Sequence, residues 1–194
     1  TYNRLLKLDA QEKILNDNVV VQNYHGFASK LLYRHGVCNI GQGEQIKKVL
    51  DLHVPVGRYD VLIIDEYQDI NEEISRMLEY IKEENPDMQI IAVGDMKQKI
   101  YDTTSLDIWN FINKFLGKHT QVNFTRCFRL SHDLAERLGA IWNKEINGVN
   151  ENCEVKSMTK DEVIEYLNDL DPKNVLCLGA RTGQMAAVLN ALEE

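Results

Sequence analysis

The stretch VLIIDEYQD, residues 61–69, decides how this chain is read. Four consecutive apolar residues suit a strand buried on both faces, yet three carboxylates and an amide follow at once. Burying an unpaired carboxylate is expensive, so Asp65, Glu66 and Asp69 have to emerge where water, a metal or a cation receives them. In an open parallel sheet that place is the crevice beyond the carboxyl ends of the strands.

Further apolar runs of strand length lie on either side: NVVVQ (18–22), MQIIAVGD (88–95), QVNF (121–124) and NVLCLG (174–179). Helical periods separate them. Ile74, Met77, Leu78 and Ile81 fall at i, i+3, i+4 and i+7, and Leu106, Trp109, Ile112, Phe115 and Leu116 repeat the stripe. Leu134, Leu138, Ile141 and Trp142 give another. Strands alternating with helices predict crossovers and a parallel sheet, so the expected class is α/β. FLGKHTQ (115–121) closes a helix with glycine and predicts a passage between two lobes, 1–118 and 119–194. The polar, turn-rich stretch 147–162 predicts a surface connection.

Composition narrows the class. A chain of 194 residues with 44% apolar side chains has ample material for a core. No apolar run approaches the ~18 residues of a membrane span, and the opening TYNRLLKLDAQEK is no export signal. Cys38, Cys127, Cys153 and Cys177 never form CxxC, which argues against structural zinc and for reduced thiols in a cytoplasmic protein. A formal net charge of −8 argues against indiscriminate nucleic-acid binding but leaves a local basic groove open.

The run IIAVGD closes on Asp95 much as VLIID closes on Asp65, and MKQKIYD follows it. Two neighbouring parallel strands then deliver Asp65, Glu66, Asp95 and Gln98 to one rim. That set suits magnesium nucleotide chemistry: one acid for the hydrated cation, its neighbour to polarise a water, an amide to sense a terminal phosphate.

DEYQD, GDMKQKIY and FTRCFRLS, in this order and spacing, resemble motifs II, III and IV of the UvrD/Rep-like superfamily 1 DNA helicases. TYNR (1–4) is similar to the end of motif Ia, VVVQNYHGF (19–27) to motif Ib, and NVLCLGARTGQ (174–184) to the strand after motif IV. The resemblance implies a three-layer α/β/α P-loop (RecA-like) core, ATP as substrate, Mg2+ as cofactor and single-stranded DNA as partner. It implies Asp65 as the magnesium ligand, Glu66 as general base, Gln98 as the γ-phosphate contact and Arg129 as an arginine finger. Gln68, Asp95, Phe128 and Arg181 join the nucleotide-facing set, and Tyr2, Asn3, Asn23, Tyr24, His25 and Phe27 the DNA-facing one. Some of these residues carry alternatives. Arg129 is also readable as a surface ion-pair residue, Phe128 as core, His25 as a turn hydrogen-bonder, and Tyr24 and Phe27 as packing beneath their loop.

Departures accompany the matches. Tyr101 is followed by DTTSLD, where the family carries an aromatic and an arginine, and no GxxxxGK[ST] occurs in the 194 residues. The resemblance therefore implies an internal fragment, with the nucleotide loop's strand before Thr1 and motifs V and VI after Glu194. Such a fragment is expected not to hydrolyse ATP, and to leave the strand at 88–94 with an edge that a dimer or another chain segment covers. Two other readings stand beside the helicase: a non-catalytic interaction module with this fold, and a metal-dependent nuclease using Asp65, Glu66 and Asp95.

Overall fold

The computed structural model describes residues 4–41, 43–99, 105–178 and 182–193. The chain divides into two compact units, Thr1–Val122 and Asn123–Glu194.

In the first unit, α1 (Arg4–Lys13), α2 (Tyr24–Arg34) and α3 (Gln45–Asp51) precede β1 (Val61–Ile64). A 3-10 turn (Tyr67–Asp69), α4 (Glu72–Glu84), β2 (Gln89–Ala92), a second 3-10 turn (Met96–Gln98) and α5 (Ile108–Leu116) follow. The apolar stripe of 74–81 becomes the buried face of α4, whose cap Asn71 accepts from the Ile74 amide at 2.9 Å. Glu72 and Glu73 in its first turn and Lys82 in its last complement the helix dipole. α5 is capped in the same way by Asp107, which accepts from the Asn110 amide at 3.0 Å, and buries Ile108, Ile112 and Phe115. It packs against β2 and the 67–69 turn.

β1 and β2 pair in parallel, Val61 opposite Gln89 through Ile64 opposite Ala92. Because successive side chains point to opposite faces, Leu62, Ile64, Ile90 and Ala92 join the core with Leu32, Ile46, Ile70, Ile74 and Met77. Val61, Ile63, Ile91 and Val93 remain 42–60% exposed. The strand at 61–64 is thus buried on one face, not on both as its apolar run suggested, because the packed side chains of this unit meet that face.

At the amino ends of the two strands Asn85, 6% exposed, acts as a clasp. Its Oδ1 accepts from the Tyr59 amide at 2.8 Å and its Nδ2 donates to Gly57 and Ile81 carbonyls at 3.1 Å.

The second unit contains β3 (Arg126–Ser131), α6 (His132–Trp142), β4 (Asn147–Asn150), α7 (Lys160–Asn168), a 3-10 turn (Pro172–Asn174) and α8 (Thr182–Glu193). β3 and β4 pair in parallel around the α6 crossover. Gly148 permits this approach, since a Cβ there would lie 2.2 Å from the Ser131 carbonyl oxygen. α7 opens with a capping box between Thr159 and Glu162.

The class is α/β with two-stranded parallel sheets. Three expected strands are irregular: 18–22, 121–124 and 174–178, with Gly179 outside the described residues. A strand needs a neighbour for its backbone groups, and among the described residues none pairs with these runs. Val122, Phe124, Leu176 and Leu178 are accordingly more than two-thirds exposed. Conversely the polar NGVN at 147–150, expected as surface connection, is a strand, because β3 supplies its ladder and Thr125 O accepts from Asn147 N at 2.8 Å. Among the described residues no helix is long and apolar enough to cross a membrane, and the four cysteines are free thiols.

Replacing Asn85 with alanine is expected to lower unfolding free energy by about 2 kcal/mol, since the part-buried Tyr59 amide and the Gly57 and Ile81 carbonyls lose their partner. Urea unfolding of the two proteins side by side measures this, and an unchanged midpoint would remove the clasp.

Candidate functional site

Beyond Ile64 the chain leaves β1 through Asp65 and turns at Glu66, which sits in the left-handed region at φ 54°, ψ 53°. Such a backbone costs a non-glycine residue roughly 1–3 kcal/mol and persists where surroundings over-determine it. Here the surroundings are named. Gln68, 3% exposed, donates from Nε2 to Glu66 Oε2 at 2.5 Å and accepts at Oε1 from the Asp95 amide at 3.0 Å. The Tyr67 amide donates to Val93 O at 3.1 Å, and the Val93 amide to Ile64 O at 2.8 Å. The ends of β1 and β2 are thereby cross-braced, and the brace holds Glu66.

Gly94 makes room for it. A Cβ at this position would stand 2.6 Å from both Gln68 Oε1 and Tyr67 Cδ1. Asp95 then caps the second 3-10 turn: Oδ1 accepts from the Lys97 amide at 3.1 Å and Oδ2 from Gln98 Nε2 at 3.0 Å. Asp65, Glu66, Gln68, Asp95 and Gln98 therefore share one rim, with Gln98 exposed and folded back on Asp95. Among the described residues no three acidic, histidine or cysteine side chains converge as a metal cage. The three-carboxylate arrangement of the nuclease reading, Asp65 with Glu66 and Asp95, is not formed. Magnesium asks less of a protein, one or two carboxylates with waters and substrate phosphates.

Asp69 belongs to the same rim. Its Oδ1 is buried without a hydrogen-bond partner among the described residues, and burial, then the Glu66 charge, raise its carboxyl above the ordinary range. Opposite stands the first turn of α2. Asn23 Oδ1 accepts from the Gly26 amide at 2.9 Å, and a Cβ on Gly26 would come within 2.4 Å of that oxygen. His25 Nε2 lies 3.7 Å from Glu73 Oε2, with the imidazole about half exposed. Phe27 meets Tyr59 edge-on at 6.1 Å within the core. The Tyr24 hydroxyl is likewise buried and unpartnered among the described residues, and its ionisation is pushed far up by burial and then by Asp65 and Asp69. Of the two readings offered for Tyr24 and Phe27, their surroundings here are those of packing.

In the second unit Arg129 lies within β3 and is exposed. Phe128 is 68% exposed, not core, with the Arg126 guanidinium 5.1 Å above its ring. Tyr2, Asn3, Tyr101 and Arg181 lie outside the described residues. Asp69 and Gly94 were not singled out as site residues. Their signals were the last acid of DEYQD and a glycine immediately before a rim acid.

A parallel strand pair thus ends in a braced acidic rim, and comparison with known proteins bears on the stretch that holds it. Residues 52–115 match the UvrD/REP helicase N-terminal domain. The chain is similar to an ATP-dependent helicase/nuclease subunit of Oenococcus oeni, 27% identical over 114 residues, covering 53% of this chain and 9% of that one. It is 28% identical over 126 residues to the protein of the same name from Natranaerobius thermophilus, covering 59% and 10%. The chain thus spans about a tenth of the length of these relatives. Both the rim and the brace fall inside the matched stretch, and the UvrD/Rep-like character read from the motifs holds there.

Gly94→Ala is expected to lower stability by about 1–3 kcal/mol through overpacking against Gln68 and Tyr67. Denaturant unfolding checks the size of the loss. A neutral substitution would mean that Gln68 has another way to reach Asp95.

Proposed function

We propose that the full-length protein is an ATP-dependent superfamily 1 DNA helicase or translocase, coupling Mg-ATP hydrolysis to movement on single-stranded DNA. The 1–118 stretch is most of lobe 1A and 119–194 the start of lobe 2A, both parts of a RecA-like three-layer core. The observation that carries this reading is the brace. Gln68 ties Glu66 to the backbone of Asp95, so a carboxylate is held in one orientation beside Asp65 at the carboxyl ends of parallel strands. General bases work when their geometry is set before the substrate arrives.

The donor set fits magnesium. Asp65 would hold the cation, with waters and substrate phosphates filling the rest of its shell. Bound there, magnesium would offset phosphate charge. Glu66 takes the proton of the attacking water, and Gln68 keeps its carboxylate aimed. Gln98 exchanges its bond to Asp95 for the γ-phosphate. Arg129 meets the charge that develops in transfer, Phe128 offers an exposed face for adenine, and Arg181 completes the phosphate contacts. The DNA strand runs past Tyr2, Asn3 and the Asn23–Phe27 turn, where the half-exposed imidazole of His25 is the available contact. The protein works in the cytoplasm.

Glu66→Gln in the full-length protein is expected to leave nucleotide binding nearly unchanged and to abolish turnover. Steady-state ATPase assays beside equilibrium binding of a fluorescent nucleotide decide it, and near-wild-type turnover would remove the general base. The 194-residue chain is expected to show no ATP hydrolysis, with or without single-stranded DNA. Turnover that disappears in Glu66→Gln would instead point to a second phosphate-gripping element within these residues.

A further inference from the structure

On β3 an exposed phenylalanine carries a cation over its ring. Phe128 is 68% exposed, and the guanidinium carbon of Arg126, two residues before it, lies 5.1 Å from the ring centroid. Arg126 is itself exposed, and among the described residues its side chain has neither an ion pair nor a hydrogen bond. Acids are not scarce, since the chain has 30 Asp and Glu against 22 Lys and Arg. The guanidinium nevertheless rests on an aromatic face rather than on a carboxylate.

A side chain that receives a planar ligand gives up its own rotation, and that loss weakens binding. A cation over one face of a ring restrains the ring in advance and leaves the other face open. It also suits a stacked base. The π face is negative, and drawing its charge toward the guanidinium eases the approach of a second π system from the far side. At an exposed position such a contact amounts to a factor of about two to five in an equilibrium constant, so it sets the ring without locking it.

We propose that Arg126 is a positioning residue for the nucleotide base: its guanidinium backs one face of Phe128, and the ring stands ready to stack an adenine on the other. The inference rests on the reading of Phe128 as the adenine-stacking residue. Arg126 acts through the ring and touches neither the phosphates nor the reacting atoms. Its contribution is to the affinity for a nucleotide that carries a base, and the transfer step does not draw on it.

The test is equilibrium binding of two magnesium-bound ligands to the full-length protein: ATP, and inorganic tripolyphosphate, which has the phosphates without the base. Arg126→Ala is expected to weaken ATP binding about two- to fivefold and to leave tripolyphosphate binding at the wild-type level. Arg126→Lys, which keeps a cation over the ring, restores most of the loss. In steady-state ATPase assays with single-stranded DNA the loss falls on KM rather than on kcat. In a Phe128→Ala background Arg126→Ala adds nothing further, because the ring through which it acts is gone. Equal weakening of ATP and tripolyphosphate would overturn the proposal, making Arg126 a phosphate contact or a structural residue. Wild-type or tighter ATP binding in Arg126→Ala overturns it too, the tighter case meaning that guanidinium and base compete for one face. If Phe128→Ala itself binds ATP normally, the stacking reading of Phe128 falls and the inference goes with it.

Discussion

The amide of Gln68 is the one group on which the site depends. It is buried, and both of its polar atoms are used in opposite directions, toward the Glu66 carboxylate and toward the Asp95 backbone. A buried amide with one arm unmade would carry a desolvation penalty comparable to a whole hydrogen bond, so the two arms stand or fall together. The β1–β2 register therefore has to be the observed one. A slip of one residue would carry Asp95 away from the amide and turn the core face of the pair outward.

Several local oddities follow from that constraint. Glu66 adopts a left-handed backbone because its side chain must turn back to meet Gln68. Position 94 is glycine because the amide and the Tyr67 ring occupy the space of a side chain. Asp95 turns its carboxylate to its own 3-10 turn, since its amide is already committed to Gln68. Gln98 in turn is held on Asp95, so any phosphate it contacts has to compete with an existing hydrogen bond.

How much of this was legible beforehand depended on which interaction set each element. Helices α4, α5 and α6 follow from apolar periods that bury one stripe, and local caps such as Asn71 and Asp107 mark their starts. The rim was legible because two apolar runs end in acids, and a strand end is where an acid can be tolerated. Strands elsewhere were not. NVVVQ has strong β-propensity and no ladder, whereas NGVN has weak propensity and a partner in β3. Pairing is a tertiary fact that a local pattern does not carry. The brace was invisible for the same reason, since nothing in DEYQD or GDMKQ says that the amide of one reaches the backbone of the other.

The first unit is asymmetric along its strands. At the amino ends, the Asn85 side chain satisfies an amide and two carbonyls. Beyond the carboxyl end of β1 lie the left-handed Glu66 and, in the 3-10 turn that follows, Asp69 with a raised carboxyl and one oxygen buried without a partner among the described residues. Both ends belong to one short strand pair over one core, so the difference is not one of packing quality. Backbone strain and a buried unpartnered oxygen thus gather at the end that carries the acids, whereas at the other end the Asn85 side chain has a partner on each arm.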